Sequence, residues 1–118
     1  MKTTPIFDHI ALTVPNLDEQ IERLTDAFGM VVQSRFERFA LVSDPATGLK
    51  LELSPSDDSE VHIRHLGFRT DDVDGAHESL VEAGMEVGEA PHRRDFARMY
   101  TSFLRQSGGL EVQLVKYD

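Results

Sequence analysis

Four polar residues recur at matching places in the two halves of this chain, and together they suit a metal ion. His9 and His65 lie 56 residues apart, and Glu52 and Gln113 each sit inside a short apolar run, Leu51-Glu52-Leu53 and Val112-Gln113-Leu114. Two imidazoles, a carboxylate and an amide oxygen form a donor set for Zn, Ni, Co, Mn or Fe. A six-coordinate ion held by four such donors keeps about two positions for water or substrate oxygens, as open catalytic sites do. It would stabilise negative charge that develops on those oxygens. The chain has no cysteine, so a thiolate site and a disulfide scaffold are both excluded.

These residues need elements that bring them to one face, and an internal repeat supplies them. Phe7-Asp8-His9 to Met30 overlays Ile63-Arg64-His65 to Met85. His9 falls on His65, Leu12 on Phe68, Asn16 on Asp72, Leu24 on Leu80 and Ala27 on Ala83 at one constant shift. A one-residue deletion then aligns Gly29-Met30 with Gly84-Met85. Near the end of each half, Gly48 to Leu53 matches Gly109 to Leu114. The polar stretch Pro55-Ser56-Asp57-Asp58-Ser59 reads as the joint. The reading is one domain over residues 1–118, with a first module near 6–54, a linker near 55–60 and a second module near 61–117.

Each half has the same pattern of elements. Ile10, Leu12 and Val14 alternate with His9, Ala11 and Thr13, which is the period of a strand. A helix follows, with Asn16 as expected N-cap and Glu19 completing a capping box. Leu17, Ile21, Leu24 and Phe28 form its expected apolar stripe, and Gly29 its stop. The twin helix starts at Asp72, carries Val73, Ala76, Leu80 and Val81, and stops at Gly84. Three strands are expected next in each half, near 31–36, 38–43 and 49–54, and near 86–89, 97–105 and 110–116. The unit is βαβββ, twice, and the fold class is α+β with a cupped mixed sheet.

Strand parity sends the polar residues to a common face. If Ile10 and Leu12 pack under the helix, His9 points the other way, and Leu66 and Phe68 do the same for His65. Leu51 and Leu53 leave Glu52 on that face, as Val112 and Leu114 leave Gln113 and Glu111. Glu111 is an alternative fourth ligand, roughly 6–7 Å along the strand from Gln113. Ala11 and Gly67 follow the two histidines on the same face and leave room beside an ion.

The bulk properties narrow the partners. A formal net charge of −9 repels phosphate backbones and acidic lipid surfaces, so neither nucleic acid nor a membrane is an expected partner. No apolar run approaches a bilayer span, and the N-terminus does not read as a signal peptide. A cytoplasmic location fits these features.

The two halves and their motifs resemble the vicinal oxygen chelate superfamily, which includes glyoxalases, extradiol dioxygenases, epimerases and bleomycin resistance proteins. The resemblance rests on Phe7 to Leu12, Asp44-Pro45 with Gly48 to Leu53, and His65-Leu66-Gly67-Phe68-Arg69. It implies that His9, Glu52 and His65 occupy the first three metal positions and Gln113 the fourth, where Glu is commoner. Gln cannot act as a base, so Glu52 is the expected catalytic carboxylate. It further implies a homodimer, a small-molecule substrate and, as first expectation, a lyase or isomerase acting on a small carbonyl compound. An extradiol-type dioxygenase and a metal-free drug- or metabolite-sequestering protein are the alternatives.

Other polar residues have plainer readings. His62 and His65 point to opposite faces of one strand, so they do not share an ion. His77 on its helix and His92 in a loop are expected to be solvated. Arg69 shares the face of His65 and is a candidate to meet an anionic substrate group, although such an Arg commonly only covers surface. Tyr100, with Arg98, is a candidate to line the substrate cleft. The acidic run around Asp58 reads as a solvated linker.

Overall fold

The computed structural model describes residues 4–118. Two units emerge, residues 9–64 and residues 65–118 together with the N-terminal residues through Asp8. Each is a mixed four-stranded sheet with one helix packed on it, as the repeat predicts.

In the first half, β1 (Ile6–Val14) leads to α1 (Leu17–Phe28), then β2 (Val31–Arg35), β3 (Ala40–Ser43) and β4 (Lys50–Pro55). The strand order is β2-β3-β4-β1. β4 runs parallel to β1, and β2 and β3 are antiparallel to their neighbours. A parallel pair needs a crossover, and α1 provides it. Leu12, Leu17, Leu24, Met30 and Leu51 pack around buried Val14, Ile21, Ala40, Val42 and Leu53. The apolar residues of β1 and β4 thus face α1, which fixes the parity of His9 and Glu52.

The second half repeats this with β5 (His62–Arg69), α2 (Val73–Glu82), β6 (Glu86–Arg94), a 3-10 turn (Asp95–Ala97), β7 (Met99–Arg105) and β8 (Glu111–Tyr117). The order is β5-β8-β7-β6, with β8 parallel to β5. Phe68, Ala76, Leu80, Met85 and Tyr100 pack around buried Val73, Leu104 and Leu114.

Local details depart from the expectations at five places. Asn16 does not cap α1 with its side chain; it adopts a left-handed conformation (φ 54°, ψ 60°) and only its carbonyl enters the helix. Asp72 does cap α2, accepting from the Gly75 N–H at 2.9 Å. Phe28 is exposed rather than part of the α1 stripe. Gly29 turns left-handed there (φ 68°), and Met30 folds back onto the core with its N–H on the Leu24 carbonyl. Val81 is likewise exposed, and His77 takes the buried place on α2. β6 runs on to Arg94 through a bulge that accommodates Pro91, so His92 lies in a strand and not a loop. Among the described residues no helix is long and apolar enough to cross a membrane.

Candidate metal centre

The register of β1 and β4 sets Glu52 opposite Ala11 and two residues past Lys50, the partner of His9. His9 is almost fully buried on the face turned away from α1. Its Nε2 lies 3.3 Å from Glu52 Oε2. Ala11, also buried, presents only a methyl group level with Glu52, so the carboxylate can lean back toward the imidazole. Two donors bound to one first-row ion at about 2.1 Å sit about 3.0 Å apart in octahedral geometry and about 3.4 Å apart in tetrahedral geometry. The observed spacing falls in that range, and an imidazole nitrogen with a carboxylate oxygen is a suitable donor pair.

The second unit repeats the arrangement with Gln113 opposite Gly67. His65 is buried, with its ring edge-on to Phe103 at 5.3 Å between centroids. Gln113 is buried as well, and its amide is oriented by a short relay. Thr101 Oγ1 donates to the Leu114 carbonyl at 2.6 Å, so the same hydroxyl accepts from Gln113 Nε2 at 2.9 Å. The Nε2 group also approaches Met99 Sδ at 3.6 Å. The relay commits the amide nitrogen to β7 and leaves the carbonyl end as the only part of the side chain suited to a cation. Glu111 pairs in register with Arg105 and joins no cluster of metal-ligating groups among the described residues.

The remaining site candidates are spread. Arg69 lies on the same face as His65 but roughly 13 Å along β5, exposed at the rim of a cavity of about 360 Å³ with Thr70 and Val115. Tyr100 lies on the helix face, not the face of Gln113, and donates to Asp74 Oδ1 at 2.6 Å. That bond, with the nearby Asp74 charge, raises the Tyr100 pKa above its ordinary value. A cavity of about 540 Å³ opens beside Tyr100, Asp72, Arg93 and Lys116, and its lining includes neither His65 nor Gln113.

The three other histidines separate clearly. His62 is exposed and bonds to Asp58. Asp58 also accepts from the Glu60 N–H and the Ser56 hydroxyl, and these bonds lower its pKa to about 2, the Glu60 backbone contact contributing most. Asp58, Glu60 and His62 form an exposed cluster, as a solvated linker would. His77 is not solvated: it is buried with Nδ1 3.0 Å from Ser102 Oγ. Its spacing explains this, because residue 77 is four past Val73 and the repeat partner of buried Ile21. His92 donates from Nδ1 to the Ala90 carbonyl at 2.8 Å.

Several residues around the site were not evident from sequence. Thr101 and Phe103 alternate on β7, outside the segments that the repeat aligns. Asp8, next to His9, is buried and accepts from the Tyr117 hydroxyl at 2.6 Å.

The profile of the Glyoxalase/Bleomycin resistance protein/Dioxygenase superfamily matches residues 6–114. The chain belongs to this superfamily. No curated protein sequence matches it. Among solved structures it is similar to the methylmalonyl-CoA epimerase of Mycobacterium tuberculosis, with 24% identity, a TM-score of 0.81, and coverage of 100% of this chain and 93% of the other. A variant of the Streptomyces coelicolor methylmalonyl-CoA epimerase in complex with 2-nitronate-propionyl-CoA gives 23%, 0.79, 98% and 99%. A methylmalonyl-CoA epimerase bound to methylmalonyl-CoA gives 23%, 0.79, 98% and 96%. At these identities the likeness establishes the fold.

Proposed function

We propose that this protein is a metal-dependent isomerase or lyase acting on a small carbonyl compound, with His9, Glu52, His65 and Gln113 as donors to one divalent ion. The observation that carries the proposal is the buried approach of His9 Nε2 to Glu52 Oε2 at 3.3 Å. Its support is the second half, which keeps a buried imidazole and a buried amide at the equivalent places. Two imidazoles and a carboxylate are a donor set known from hydrolytic metal sites, which makes His9, Glu52 and His65 the ligands to test first.

A divalent ion bound there supplies Lewis-acid stabilisation of negative charge on a carbonyl oxygen. The protein residues then divide the remaining work. The Gln113 amide is not a base, so abstraction of a proton beside the carbonyl falls to Glu52. Its carboxylate takes the proton, and the resulting acid returns it to the substrate. The structural neighbours named methylmalonyl-CoA epimerase are isomerases, which supports this chemistry ahead of an oxygen-dependent reaction and makes CoA thioesters the first carbonyl compounds to test. A homodimer is the corresponding proposal for assembly, supported by the superfamily.

The test is solvent deuterium exchange followed by NMR, using metal-loaded protein and a panel of 2-oxo acids, aldehydes and acyl thioesters. Exchange at the carbon beside the carbonyl is expected with wild type and lost in Glu52→Gln. Metal content is measured on both proteins, so that loss of base and loss of metal are separated. Undiminished exchange in a metal-loaded Glu52→Gln protein would remove Glu52 from proton transfer.

A further inference from the structure

Arg94 reaches the face that carries His65 and Gln113, beside the Phe103 ring. In the β6–β7 register, Glu89 pairs with Phe103, His92 with Thr101 and Arg94 with Met99. Three residues of β6 therefore span two of β7 between Glu89 and His92. This bulge, which contains Pro91, places Glu89, His92 and Arg94 on one face, where simple alternation would put Glu89 on the other. That face is the one occupied by Thr101 and Phe103.

Arg94 does not point away from the sheet. Its guanidinium carbon lies over the Phe103 ring at 5.0 Å from the centroid. The same ring meets the His65 imidazole at 5.3 Å. Two neighbours hold the guanidinium in this pose. His92 donates its Nδ1 proton to the Ala90 carbonyl, so its Nε2 accepts from Arg94 Nε at 3.2 Å. Glu89 accepts from Arg94 Nη2 at 2.9 and 3.2 Å. These bonds engage Nε and Nη2, and among the described residues no hydrogen bond engages the Nη1 edge of the fork. Arg94 is partly buried, at 30% side-chain exposure, which strengthens its charge relative to a fully solvated arginine.

We infer that Arg94 is a specificity residue that binds a carboxylate of the substrate through its Nη1 edge, and that the substrate is an anionic carbonyl acid. The inference rests on the proposed function, because it assigns the tail of the compound whose carbonyl meets the metal. The overall charge of −9 sharpens it: an anionic substrate approaching an acidic protein needs a local cation at the site. Glu89 and His92 are positioning residues that aim the guanidinium.

The test compares two probes that differ only in the tail, 2-oxoglutarate and 2-oxopentanoate, by calorimetric binding to metal-loaded and metal-free protein. Wild type is expected to prefer 2-oxoglutarate by about tenfold or more, the worth of one charge-assisted hydrogen bond. Arg94→Gln is expected to abolish the preference and Arg94→Lys to keep part of it, with metal content unchanged. Glu89→Gln, which keeps an oxygen to accept from Arg94 Nη2 but removes the competing negative charge, is expected to raise the preference. Equal binding of the probes by wild type, no binding of either in both forms, or a preference surviving Arg94→Gln would overturn the inference. A loss in Glu89→Gln as deep as in Arg94→Gln would show a structural clasp and would also overturn it. The ratio between probes reads Arg94, whereas the affinity gained on adding metal reads the metal site, so the two readings fail separately.

Discussion

Replacing Thr101 by Val removes one hydroxyl at the centre of the second unit and little else. Thr101 is fully buried, donates to the Leu114 carbonyl at 2.6 Å and accepts from Gln113 Nε2 at 2.9 Å. Val fills the same volume, so no cavity forms and the change isolates the relay. Loss of the two bonds, with a buried amide N–H left facing a methyl group, is expected to cost about 2–3 kcal/mol. For a chain of this size that lowers the melting temperature by roughly 8–12 °C.

Thr101→Ser supplies the control. It keeps the hydroxyl and deletes one methyl group, which is expected to cost about 1 kcal/mol. Urea denaturation of the three proteins, with equal slopes, gives the order wild type, Ser, Val. A Val variant as stable as wild type, or more stable than the Ser variant, would refute the relay and with it the assigned orientation of the Gln113 amide.

Three further outcomes are expected. Asp72→Ala should cost about 1 kcal/mol by deleting the α2 cap, whereas Asn16→Gly should be neutral or slightly stabilising, because Asn16 is left-handed and caps nothing with its side chain; urea midpoints compare them directly. Ser102→Ala should cost about 1–3 kcal/mol, because it strips the partner from the buried His77 Nδ1; a loss under about 0.5 kcal/mol would make that contact incidental. Asp58 should titrate in the folded protein near 2, below its usual 3.8, and rise toward the usual value in Ser56→Ala. Since its folded pKa is depressed, its contribution to stability is present above pH 4 or so and is lost as pH falls toward 2; a carboxyl NMR titration reads this, and an Asp58 pKa near 3.8 would contradict it.

The repeat made most of the fold readable. Once His9 is laid on His65 and Leu51 to Leu53 on Val112 to Leu114, alternation within each strand decides which side chains share a face. That reasoning needs only regular strands, and β1, β4, β5 and β8 are regular. It failed where the backbone departs from regularity or where residue type misleads. Asn16 has the composition of a cap, but its left-handed backbone turns the side chain away from the helix N-terminus. Phe28 has the right spacing for the core, yet the turn at Gly29 lets Met30 fill that space. His77 was read by its polarity, although its position as the twin of Ile21 marks the buried face. Arg94 was invisible because the bulge at Pro91 shifts the alternation by one residue, and no periodic pattern announces a bulge. The relay from Thr101 to Gln113 depends on a pairing across strands twelve residues apart, which the repeat does not encode.

The central claim is most directly tested by the metal content of protein purified without an affinity tag or chelator, after incubation with a panel of divalent ions. Close to one equivalent is expected for wild type, with strong loss in His9→Ala and His65→Ala and near-normal content in His62→Ala, His77→Ala and His92→Ala. Wild-type protein that holds no ion from the panel, or equal losses across all five variants, would contradict the claim and leave a binding protein without a metal as the better description.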